Sequence, residues 1–98
     1  MRDVYVSDTV RRKIIELRTY LVIELKLSEE ATHRRIERMK KFMAAFGNEA
    51  DYALCRFKKW RTLGYRCAVF EKRWVFAYEI IDEGVIVRDV SPTAILTE

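Results

Sequence analysis

The sequence predicts an α+β domain in which two amphipathic helices lie on one face of a sheet. Three observations carry that expectation. Apolar residues recur at spacings of three and four over residues 10–25 and again over 36–46. From Tyr65 to Val90 the period changes to two, with turn residues at two reversals. A short β-branched and aromatic stretch, Val4-Tyr5-Val6, precedes the first helix. The predicted order is an N-terminal strand, an antiparallel helix hairpin and a three-stranded antiparallel meander, as one domain over residues 1–98.

Each element has a local reason. After the first strand, Ser7 or Asp8 offers an N-cap, and Val10, Ile14, Leu17, Leu21 and Leu25 draw one stripe down about five helical turns. Ser28 caps the second helix, with Glu29 and Glu30 in the first turn, where negative charge suits the helix dipole. Ile36, Met39, Met43 and Phe46 form its apolar face, while Arg34, Arg35 and Arg38 fall on the wet one. Gly47-Asn48 reads as a left-handed C-terminal cap. Only Leu27 and Ser28 need separate the helices, hence the hairpin.

Between Asn48 and Gly64 the pattern is weak. Leu54, Phe57, Trp60 and Leu63 recur every third residue, compatible with a short helix, a 3₁₀ segment or an irregular arm. In the meander Tyr65, Cys67 and Val69 share one face, and Arg66, Ala68 and Phe70 the other. Trp74, Phe76, Tyr78 and Ile80 then alternate with Val75, Ala77 and Glu79. Glu71-Lys72-Arg73 and Asp82-Glu83-Gly84 make the two reversals. The residues from Ser91 onward allow no more than a strand extension or a docked tail.

Composition bounds the function. Half of the 98 residues are hydrophobic and 35% are charged, the balance of a globular chain rather than a disordered one. No apolar run approaches the roughly 20 residues that cross a bilayer, and Met1-Arg2-Asp3-Val4 does not open a signal-peptide pattern. The expectation is a cytoplasmic protein with no membrane partner. His33, the only histidine, is flanked by Arg34 and Arg35 and reads as solvated. Cys55 and Cys67 are too few and too far apart for a zinc motif or a disulfide framework, and Cys67 reads as a small buried residue. No cofactor or metal is expected.

The +4 net charge is unevenly placed. Arg56, Lys58, Lys59, Arg61, Arg66, Lys72 and Arg73 face only Glu49, Asp51 and Glu71 between Gly47 and Val75. Beyond Phe76 only Arg88 is basic. The interleaving of Arg56, Lys58, Lys59 and Arg61 with Phe57 and Trp60 suits RNA or an acidic protein, and equally a solvated arm anchored by its aromatics.

The residues Gly64-Tyr65-Arg66 before an apolar strand, Arg73-Trp74-Val75-Phe76-Ala77-Tyr78-Glu79-Ile80, the acidic turn at Asp82-Glu83 and Val85-Ile86-Val87 resemble the RelE/ParE toxin superfamily of bacterial type II toxin–antitoxin systems. The resemblance implies a growth-inhibiting toxin neutralised by a cognate antitoxin protein, whose acidic segment would cover apolar grooves and basic surface. In the ribosome-dependent mRNA endonucleases of that family, basic residues on the sheet hold the phosphate and move protons. Arg66 matches one such position, and Tyr78 is a second candidate catalytic group. Arg66 is equally suited to an ion pair with Glu79 on the next strand. Other positions depart from the pattern: Ala68 and Val75 stand where basic residues are expected, and Ser91-Pro92-Thr93 follows the last strand. Cleavage needs charge stabilisation and a proton-transfer pair at one phosphate. The resemblance therefore points to the ParE branch, which acts on DNA gyrase, or to an inactive toxin fold. The alternative is an RNA-binding protein or mRNA endoribonuclease that works on the ribosome through residues 56–66. On either reading Arg56, Lys58, Lys59, Arg61, Arg66 and Arg73 are the candidate binding residues.

Overall fold

The computed structural model describes residues 2–48 and 53–96. Strand β1 (Asp3–Val6) leads into helices α1 (Asp8–Ile23) and α2 (Glu29–Ala44), the latter extended by a 3₁₀ turn at Ala45–Gly47. A four-residue helix α3 (Lys58–Arg61) follows, then β2 (Arg66–Phe70), β3 (Trp74–Ile81) and β4 (Gly84–Pro92), and a closing 3₁₀ turn at Thr93–Ile95. The class is α+β, with a four-stranded sheet in the order β1-β4-β3-β2. The sheet is mixed: β2, β3 and β4 run antiparallel in turn, while β1 pairs parallel with β4 from Asp3↔Gly84 to Val6↔Val87. A parallel pair needs a long crossover, and the two helices supply it.

Ser7 starts α1 by accepting from the backbone N–H of Val10 at 3.3 Å, and its hydroxyl donates to the Arg88 carbonyl at 3.1 Å. One side chain thus caps the helix and fastens it to β4. Ser28 caps α2 through the Ala31 N–H at 3.0 Å. The expected stripes pack as one core: Val10, Leu17 and Leu21 of α1 and Ile36, Met39, Met43 and Phe46 meet Ala68, Phe70, Phe76, Tyr78, Val85, Val87 and Val90 of the sheet. Phe42 adds aromatic contacts, its ring centroid 5.1 Å from Phe70 and 5.7 Å from Phe76.

Three local expectations change. Helix α1 stops at Ile23, so Leu25 leaves the stripe and is exposed. The helices are joined over residues 24–28, with Lys26 in the left-handed region at φ 53°. Gly47 does not form a left-handed cap; it closes the 3₁₀ turn. Its missing side chain matters for another reason, because a Cβ there would stand 2.5 Å from the Arg2 carbonyl oxygen. That carbonyl belongs to the chain entering β1, and the Arg2 N–H donates to the Gly47 carbonyl at 3.0 Å.

The larger correction concerns the cysteines. Cys55 and Cys67 are joined in a disulfide, with their Cα atoms 4.9 Å apart and a sequence separation of 12. Spacing along the chain could not reveal it, because backbone pairing makes the approach. The Cys55 N–H donates to the Tyr65 carbonyl, and Leu54 bridges to Arg66. Residues 53–55 therefore run alongside the outer edge of β2 and bring Cys55 to the next residue of that strand. Around the bridge lies a second apolar cluster, Cys55, Phe57, Trp60, Val75 and Ala77, on the face of the sheet opposite the helices. Of the four residues spaced by three, Phe57 and Trp60 are buried, whereas Leu54 and Leu63 are exposed.

Closing a loop of this size in the unfolded chain contributes about 3 kcal/mol. Adding reductant is expected to lower the unfolding free energy by about 2–3 kcal/mol, read from urea titrations followed by far-UV circular dichroism. A reduced protein as stable as the oxidised one would show that the arm needs no tether.

Candidate functional site

Two surfaces combine cations that lack an ion pair to a described carboxylate with aromatic or apolar groups, and the sheet separates them. The first is the outer side of the arm. Phe57 and Trp60 point into the second cluster, which turns Arg56, Lys58, Lys59 and Arg61 outward, all exposed. Lys59 Nζ sits 4.8 Å from the Trp60 ring and the Arg56 guanidinium 5.2 Å from the Phe57 ring, so each cation lies against an anchoring aromatic. Among the described residues no carboxylate forms an ion pair with Lys58, Lys59 or Arg61.

Asp89 locks this surface to the rest of the fold. Its carboxylate accepts from Trp60 Nε1 at 3.2 Å on one side and from Lys13 Nζ at 2.6 Å on the other. It also accepts from the Val90 N–H at 2.8 Å. A break in register between Ala77 and Tyr78 lets β4 present Asp89 here, opposite Ala77.

The second surface is a groove of about 840 Å³ between α1, α2, the β2–β3 turn and the end of β4. Ile14, Leu17, Leu21, Met39, Trp74 and Val90 supply its apolar lining, and Tyr20 and Leu25 extend it. Arg35, Lys72 and Arg73 stand on its α2 and turn side. Of the other charged groups there, Lys13 is held by Asp89 and Glu16 lies 3.7 Å from Arg12. The turn is fixed to α2 by Arg38, whose guanidinium donates to Glu71 at 2.7 Å. Glu71 and Lys72 both take left-handed backbone angles, φ 50° and 63°, as a tight reversal demands.

The candidate residues named from sequence are not gathered in one place. Arg66 opens β2 opposite Tyr78 and is half-buried. Glu79 does not pair with it in the way proposed as an alternative; Arg88 takes that carboxylate through two donors at 3.0 and 2.8 Å. Tyr78 has no exposed surface, and its ring stacks on Phe46 with centroids 4.5 Å apart. That is a core position, out of reach of a phosphodiester. Arg73 lies at the groove, away from the cations of the arm. Sequence reasoning missed Arg35 and Lys72 as groove residues, because Arg35 falls on the polar side of α2 and Lys72 on a turn. The signal available was Arg35 four residues before the core residue Met39, which puts both on adjoining faces of one helix. Among the described residues no three His, Cys, Asp or Glu side chains converge as metal ligands would.

No protein-family model matches the chain, and no match is found among curated proteins or solved structures.

Two outcomes follow from these contacts. Asp89→Ala should cost about 2–3 kcal/mol, since it strands the buried indole N–H and frees Lys13, and Trp60 emission should shift to longer wavelength. Glu71 is held below the ordinary carboxylate range, chiefly by the hydrogen bond from Arg38 and further by the charges of Arg38 and Arg35. A carboxyl lowered on folding stabilises the fold above its unfolded value, and that contribution is lost as pH falls through the folded value. In carbon-detected NMR titrations Arg38→Ala should move Glu71 up toward the ordinary range.

Proposed function

We propose that this chain is a toxin of the RelE/ParE type that acts by binding a protein rather than by cutting RNA, and that an acidic protein antitoxin neutralises it. The reading rests on the residues of the meander, Tyr65-Arg66 and the run from Arg73 to Ile80, and on the finer plan of a helix hairpin laid across three antiparallel strands. One observation favours binding over cleavage. The groups available for phosphodiester chemistry are dispersed: Tyr78 is sealed in the core, the arm cations project from one side, and Arg73 lies at the groove. A nuclease needs such groups around a single phosphate, whereas a protein-binding toxin needs only surfaces. DNA gyrase is a target of the required kind. The reading puts the protein to work in the cytoplasm, where Cys55 and Cys67 would stand as thiols.

The arm supports a second reading, RNA binding through Arg56, Lys58, Lys59 and Arg61, since four exposed cations on one short segment suit a polyanion.

Tightly controlled expression in a bacterial host decides between them. The expected result is growth arrest with intact mRNA, relieved when the product of the adjacent gene is expressed alongside. Arrest with cleaved mRNA would transfer the protein to the nuclease reading. Unimpaired growth with soluble protein present would end the toxin proposal.

A further inference from the structure

The groove between α1, α2 and the β2–β3 turn has the build of a small-molecule site. We propose that it binds a single-chain anionic amphiphile, such as a fatty-acid carboxylate, with the head group at Arg35, Lys72 and Arg73. The inference does not rest on the toxin reading, and neither stands or falls with the other.

Size is the first ground. About 840 Å³ lies within the range of roughly 300–1,000 Å³ typical of ligand pockets. The character of the lining is the second. The apolar surface open to the groove comes from Ile14, Tyr20, Leu25 and Trp74, and the buried core residues Leu17, Leu21, Met39 and Val90 stand directly beneath it, so the floor is preformed rather than collapsed on itself. Trp74 and Tyr20 give it aromatic walls. A nucleotide or sugar would leave its own polar groups unpaired against such a floor.

Charge is the third ground, and it selects the head group. Arg35, Lys72 and Arg73 come from two elements that an ion pair already holds together, Arg38 to Glu71. Arg35 is near enough for its charge to act on the Glu71 carboxyl, so the helix residue and the turn residues face one region. None of the three forms an ion pair with a carboxylate of the described residues. Among the described residues Glu16 is the only carboxylate lining the groove, and it belongs to α1, not to the α2 and turn side where these cations stand. An anion is therefore favoured at that side, with its apolar chain over Ile14, Tyr20 and Trp74.

Isothermal titration of the full chain with dodecanoate, kept below its micelle concentration, tests the assignment. Saturable one-to-one binding is expected, at least ten times tighter than for dodecanol under the same conditions. Arg35→Gln, and separately the double variant Lys72→Gln/Arg73→Gln, should each weaken binding at least tenfold with unchanged circular dichroism. These side chains lie outside the core, and having two independent variants guards against one that misfolds. Absence of saturable binding would overturn the proposal, as would equal affinity for dodecanol or variants that bind as the parent does. Saturable binding of an acidic amphipathic peptide in place of dodecanoate would overturn it too, and would assign the groove to a protein.

Discussion

Four consecutive residues of β3, Val75, Phe76, Ala77 and Tyr78, have no exposed surface, and most of the architecture answers that demand. Side chains alternate along a strand, so Phe76 and Tyr78 face one side while Val75 and Ala77 face the other. A sheet with helices on one side only would leave Val75 and Ala77 in water. The helices cover the first side with a large aromatic and aliphatic core. Among the described residues the second side receives the short segment around α3, with Leu96 packed against it. A helix of four residues has no stability of its own, since nucleation costs more than one turn returns. It persists because Phe57 and Trp60 are buried beneath it, the disulfide anchors its approach, and the Trp60 indole is hydrogen-bonded to Asp89.

The same layering sorts the charges. Carboxylates are used to join elements: Asp89 connects α1 and α3 to β4, Glu71 ties the first reversal to α2, and Glu79 pairs with Arg88 between strands. Lys58, Lys59 and Arg61 of the arm and Arg35, Lys72 and Arg73 at the groove are among the cations left without an ion pair to a described carboxylate. The sheet lies between these two groups, so they form separate positive regions instead of one continuous stripe. Each can attract a different anion, and the apolar floor beside the second distinguishes the two chemically.

The helices and the antiparallel strands were legible because their apolar periods are long and uninterrupted. Ser7 and Ser28 declared the helix starts, and Ile36, Met39, Met43 and Phe46 are all buried as their spacing requires. The parallel pairing of β1 was not legible, since it depends on where a crossover returns the chain. The arm was only half legible. Its period of three is real, yet Leu54 lies along the edge of β2 and Leu63 in the turn after α3, so both stay exposed. The disulfide escaped for the same reason: proximity is created by backbone pairing between residues 53–55 and β2. Tyr78 shows the converse limit. Its place in an alternating strand identified the face it would take, but not that the face would be closed over it by Phe46.

The covalent link between Cys55 and Cys67 encloses Arg56, Lys58, Lys59, Arg61 and Arg66 in one small ring. Every peptide bond after those residues, where a protease specific for basic side chains would cut, lies inside that ring. A single scission there would leave both pieces attached through sulfur, with β2 still beside β3 and the aromatic anchors in place. Under oxidising conditions a nicked molecule would migrate as an intact chain and part into two only on reduction. A strongly basic stretch of the protein is therefore also one where a backbone break would not separate its parts.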